Sequence, residues 1–104
     1  MEILFNTDHN LKDTEEFSAP FIHLIDKELN RFRHQITKVQ AHLSDENGTK
    51  KGQNDKRCVL EAHLAGMLPI AVTNHGDNPE QAVKGAIEKL KTSLDTKIGK
   101  LSNH

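Results

Sequence analysis

The sequence predicts an α+β fold of order β-α-β-β-β-α, a four-stranded mixed sheet with two helices packed on one face. Three observations carry this expectation. Residues 36–43 and 57–65 alternate apolar and polar side chains with the period of a half-buried strand. Asn78-Pro79-Glu80-Gln81 is a helix start that opens a long amphipathic run. Near the N-terminus, Phe17, Phe21, Leu24, Ile25, Leu29 and Phe32 recur at i, i+4, i+7, i+8, i+12 and i+15, which is one helical face.

The first strand is expected over residues 2–6, where Ile3, Leu4 and Phe5 are apolar, with a polar loop over 7–13. Two starts are open for the first helix. If Ser18 is the cap, Pro20 lies harmlessly in the first turn; if Thr14 is the cap, Pro20 distorts the helix. The earlier start, with a distortion, is the expectation. In the second strand Val39, Ala41 and Leu43 point one way and Lys38, Gln40 and His42 the other. Residues 44–56 hold no apolar residue and two Gly, so they read as a mobile loop between two hairpin strands. In the third strand Cys58, Leu60, Ala62 and Leu64 point inward and Arg57, Val59, Glu61 and His63 outward. Gly66-Met67 is the next turn, and residues 68–75 form the last strand, where Pro69 suits an edge. The second helix buries Val83, Ile87, Leu90, Leu94, Ile98 and Leu101.

The strand-helix-strand crossover should be right-handed and place the first two strands side by side in parallel. An antiparallel meander completes the sheet. Each helix has one apolar stripe, so both must cover the same face. The open face then presents Lys38, Gln40, His42, Arg57, Glu61, His63, Thr73 and His75.

At 104 residues the chain is read as one domain, 1–104, with an aliphatic core, since four Phe are its only aromatics. No apolar run nears the roughly 18 residues of a membrane span, and the N-terminus shows no signal pattern. Cys58 is the single cysteine, which excludes an intramolecular disulfide and fits a reducing, cytoplasmic setting. The net charge of −1 gives no reason by itself to expect nucleic acid. Its distribution is polarised: residues 1–28 carry seven acids against two bases, and residues 29–104 twelve bases against eight acids.

No constellation for catalysis, cofactor or metal stands out. No pair among the seven His has the spacing of a zinc motif. His42 and His75 are expected to flank the third strand near Arg57 or Val59, as solvent-facing side chains whose protonation would make this face more cationic. Cys58 points into the core and reads as an inert thiol. Gly48-Thr-Lys-Lys-Gly-Gln lacks the Gly-Lys-Ser/Thr of a phosphate loop. The acid pairs Glu15-Glu16 and Asp45-Glu46 read as helix-dipole and solubility features. The open face has no aromatic on which bases could stack. The chain is not expected to be an enzyme.

Several strings, in order and spacing, resemble the ribosome hibernation-promoting factor family, also called the ribosome-associated or sigma-factor modulation family. They are Ile36-Thr-Lys-Val39, His42-Leu-Ser-Asp-Glu-Asn-Gly48, Asp55-Lys-Arg-Cys58 and Leu60-Glu-Ala-His63. Ile70-Ala-Val-Thr73 and Gln81-Ala-Val-Lys-Gly-Ala-Ile-Glu-Lys-Leu90 continue the series. The resemblance implies a cytoplasmic protein that binds the small ribosomal subunit near its decoding region and silences idle ribosomes. It is to the short form, without a second, dimerising domain. Well-known short members are more basic than this chain. Of the five Lys on the second helix, Lys84 is expected to pair with Glu88 and Lys91 with Asp95, four residues apart. Lys89, Lys97 and Lys100 share the other flank with no acid at i+3 or i+4. With Lys38 and Arg57 on the open sheet, they are the expected contacts to ribosomal RNA phosphates. The rival reading is a protein-interaction module that keeps the fold without the ribosome, using its acidic N-terminal region or the 44–56 loop.

Overall fold

The computed structural model describes residues 1–8, 14–46 and 55–102, and side chains among these as far as Gly99. Its elements are β1 (Glu2–Thr7), α1 (Glu15–Glu28), β2 (Ile36–Asp45), β3 (Lys56–Leu64), β4 (Ile70–Gly76) and α2 (Pro79–Ser102). A short 3-10 turn, Asn30–Phe32, follows α1. The sheet order is β1-β2-β3-β4; only β1 and β2 are parallel. The expected fold is therefore the observed one.

Strand parity builds the core. Val39, Ala41 and Leu43 of β2 and Cys58, Leu60 and Ala62 of β3 are buried together. They share one core with Ile25 of α1, its C-cap Leu29, and Val83, Ile87, Leu90 and Leu94 of α2. Residues of a single parity meet both helices, so α1 and α2 cover the same face. Phe5 of β1 stacks on Phe21 of α1, ring centroids 5.4 Å apart, and Phe17 meets Phe21 edge-on.

The early helix start is the one adopted. Thr14 Oγ1 accepts the Phe17 N–H at 3.1 Å. Ser18 lies inside the helix and donates its hydroxyl to the Thr14 carbonyl at 2.9 Å. Pro20 stands in the interior of α1, which continues through it. Glu16, whose carbonyl loses its usual donor there, is exposed together with Pro20, so water can replace the missing N–H. At α2, Asn78 Oδ1 accepts the Gln81 N–H at 2.9 Å. Gln81 Oε1 in turn accepts the Asp77 N–H at 3.1 Å, one residue earlier than in a reciprocal capping box.

The strand ends differ from the sequence expectation by one or two residues, most at the β2-β3 hairpin and at the start of β4. The hairpin strands run further than the apolar pattern, with Asp45 opposite Lys56 and the Glu46 N–H donating to the Asp55 carbonyl at 2.8 Å. Charged residues enter the sheet there because they satisfy one another. Lys56 Nζ lies 3.1 Å from Asp55 and 3.4 Å from Asp45, and both acids are nearly buried. Burial alone would lower the Lys56 pKa, but the hydrogen bond it donates to Asp55 and the charges of Asp45 and Asp55 outweigh it and hold it above 10.5. Residues 47–54 of the expected mobile loop lie outside the described residues. The last strand begins at Ile70; Leu68, past the turn at Gly66 (φ +73°), is 87 % exposed.

Register places Asn74 on the helix side, opposite Cys58. Its Nδ2 donates to the Gln81 carbonyl at 3.3 Å and to that of Ala82 at 3.2 Å. This approach is possible because residue 85 is Gly: a Cβ there would collide with the Asn74 amide.

Candidate nucleic-acid interface

The helical period puts Lys89, Lys97 and Lys100 on one flank of α2, with the first two about 12 Å apart along the axis. Lys89 and Lys97 are exposed. Lys89 Nζ donates to the Thr73 carbonyl at 2.9 Å. That acceptor is neutral, so the ammonium charge stays uncompensated, and it sits against β4, an edge of the sheet. Lys97 has no ion pair among the described residues. Lys100 lies in the last turns of α2, and its side chain lies outside the described residues.

Lys84 and Lys91 are neutralised, but not by the expected partners. Lys84 pairs back to Glu80 at 2.7 Å rather than forward to Glu88. This order, acid before base, is the better one on a helix. The same bond and charge lower the Glu80 carboxyl below its usual pKa. Lys91 reaches Glu28 of α1 at 3.2 Å and Glu88 at 3.8 Å. Asp95 is taken by Arg31 at 2.9 Å, and Arg31 also covers the Phe32 ring. Glu80 and Glu88 lie on α2 itself, but Glu28 and Arg31 come from α1 and the turn after it, which helical spacing alone does not show.

The open face carries mixed charge. Lys38 is half-buried, lies opposite Glu2 and His63 in the register, and has no ion pair within 4.0 Å among the described residues. Arg57 lies opposite His75. Glu46, at the end of β2, binds both: its Oε1 is 2.9 Å from His75 Nε2 and 3.8 Å from Arg57 Nε. Glu46 follows the last residue of β2 in a stretch without apolar residues, and nothing local in the sequence marks its role. His63 contacts Glu61 at 2.7 Å. His42 lies opposite Val59, away from Glu46, so His42 and His75 do not form a pair. Among the described residues no three His, Cys, Asp or Glu converge on a metal position. The centre of this face is a shallow depression of about 280 Å3 that includes Asn6, Gln40, His42 and Val59, with no Phe, Tyr or Trp in its lining.

The arrangement can attract anions along α2 and the β4 edge, and less so over the sheet, where Glu2, Glu46 and Glu61 stand among Lys38 and Arg57. Cys58 contributes no reactive thiol: it is fully buried, and burial pushes its pKa up to about 12.

A mixed sheet roofed on one side by two helices, with a cationic helix flank along one edge, defines the class as an α+β protein whose distinguishing chemistry is on its surface. The chain belongs to the sigma 54 modulation protein / S30EA ribosomal protein family, whose sequence pattern matches residues 10–102. The family is one of ribosome-associated proteins that modulate translation. A ribosomal subunit interface protein from Coxiella burnetii has a similar structure, with TM-score 0.72 and 18 % identity over 95 % of this chain and 99 % of that one. The N-terminal domain of Thermus thermophilus Protein Y is similar at TM-score 0.70 and 19 % identity, over 92 % of this chain and 98 % of that one. Identities this low establish the shared fold alone. No significant match is found among curated proteins. No helix among the described residues is long and apolar enough to cross a membrane.

Proposed function

We propose that this chain binds the small ribosomal subunit in the cytoplasm and silences or modulates translation in idle cells. Binding runs through ribosomal RNA phosphates, without a cofactor and without catalysis. Lys89, Lys97 and Lys100 make the principal contacts; Lys38 assists, and Arg57 contributes less because Glu46 already faces it. The observation that carries this reading is the uncompensated charge on one flank of α2, in a chain that belongs to a ribosome-associated family. Phosphate contacts of this kind supply affinity independently of base sequence. The absence of aromatics from the open face argues against base stacking as a further contribution.

Gradient fractionation of cells tests the proposal. In stationary phase the protein is expected in small-subunit or whole-ribosome fractions, and less so during growth. Recovery only at the top of a low-salt gradient, in both phases, would overturn it.

A further inference from the structure

The two edges of the sheet differ. At β4, Lys89 binds the Thr73 carbonyl and Pro69 stands just before the strand. A lysine and a proline both discourage the addition of another strand. β1 has no such guard among the described residues. The Asp8 N–H donates to the Leu43 carbonyl at 3.2 Å, so with a period of two Asn6, Leu4 and Glu2 also turn their main-chain groups to β2. Ile3, Phe5 and Thr7 turn theirs outward, and no described residue hydrogen-bonds to them there. Cover is thin as well. Ile3 and Phe5 are only half-buried, although their register partners Val39 and Ala41 are fully buried.

Beside this edge, between β1 and α1, lies an open groove of about 490 Å3. Its floor is apolar, from Met1, Ile3, Ala19 and Ile22, and its rim carries the acids Glu15 and Asp26 together with His23. Both acids are exposed and have no ion pair among the described residues. On the other side of β1, Leu4 is exposed on the open face.

We propose that β1 accepts an extended peptide as a fifth strand, with Lys or Arg on the helix side and aliphatic residues on the open side. Main-chain pairing to Ile3, Phe5 and Thr7 fixes the register. The long cationic side chains lay their stems on the apolar floor and reach Glu15 and Asp26. The aliphatic residues lie beside Leu4. A second copy of this chain fits poorly, because pairing β1 with β1 about a two-fold axis sets two grooves rimmed by Glu15 and Asp26 side by side, and like charges repel. This edge is opposite β4 and Lys89, so it stays open whether or not the α2 flank binds RNA.

A nine-residue peptide of alternating Lys and Val, with blocked ends, is the probe. Amide hydrogen exchange in the full chain should slow about ten-fold at Ile3, Phe5 and Thr7 when the peptide is added. Glu15→Lys with Asp26→Lys should weaken binding about ten-fold, as expected for two exposed charge contacts reversed. Both side chains are exposed, so the fold is kept. Ile3→Pro removes one outward donor while sparing the pairing with β2, and should also weaken binding. The same peptide with Glu for Lys should not bind. Protection at β4 or α2, affinity unchanged in the charge-reversed variant, no binding at low salt, or sedimentation of the free chain as a β1-linked dimer would each overturn the proposal.

Discussion

Cys58 shows how one side chain sets a pH dependence. Its folded pKa, about 12, stands above the ordinary thiol value of 9.0. A raised folded value means that the stability is fully present below pH 9 and is lost as pH rises towards 12. The slope in that window is about 1.4 kcal/mol per pH unit. Lys56, also raised, loses its contribution in the same direction above 10.5. Denaturant unfolding between pH 7 and 11 should therefore show stability falling from about pH 9, with a shallower fall in Cys58→Ala. Equal pH dependence in the two proteins would contradict the assignment. The contact of Asn74 with α2 supports a second prediction. Gly85→Ala should cost about 1–3 kcal/mol by overpacking, and much of that loss should vanish in the Asn74→Ala background. Of these two positions, Cys58 was legible in the sequence, because alternation alone fixes its side of the sheet. Asn74 was not, because its partners are carbonyls of a helix that only the fold brings near. Glu46 was missed for the same reason: its partners Arg57 and His75 come from two other strands.

Among the elements, those with local signals were read correctly. Asn78 and Thr14 cap their helices through bonds within three residues. Apolar alternation located all three hairpin and meander strands. It failed at their ends, where Asp45, Asp55 and Lys56 replace apolar burial by mutual ion pairing. The helix ion pairs were half legible: Lys84 and Lys91 are neutralised, but Glu28 and Arg31, from outside α2, decide the partners of Lys91 and Asp95. Pro20 offers a test at this scale. It lacks the N–H that would reach the Glu16 carbonyl, and its exposed position needs no particular shape. Pro20→Ala should stabilise the protein by about 1–3 kcal/mol in denaturant unfolding. A neutral or destabilising result would mean that the ring contributes packing that outweighs the missing bond.

At the scale of the molecule, sequence showed an acidic N-terminal part and a more basic remainder. It did not by itself show which charges remain free. The sheet order separates β1, with its acidic groove, from β4, where Lys89 lies, by the full width of the sheet. Between them, internal pairing removes Lys84, Lys91, Arg31 and much of Arg57 from the available positive charge. Lys89 and Lys97 on the α2 flank keep their charge unpaired among the described residues, and the proposed contact with RNA rests on them. Cosedimentation with purified small ribosomal subunits across a salt series tests that claim most directly. The parent should bind at low salt and weaken as salt rises. Lys89→Gln, Lys97→Gln and Lys100→Gln together should bind at least about ten-fold more weakly, with a salt slope shallower by about 2–3. Lys84→Gln with Lys91→Gln should change little. A parent that fails to bind at the lowest salt, or two variants that weaken alike, would contradict the account.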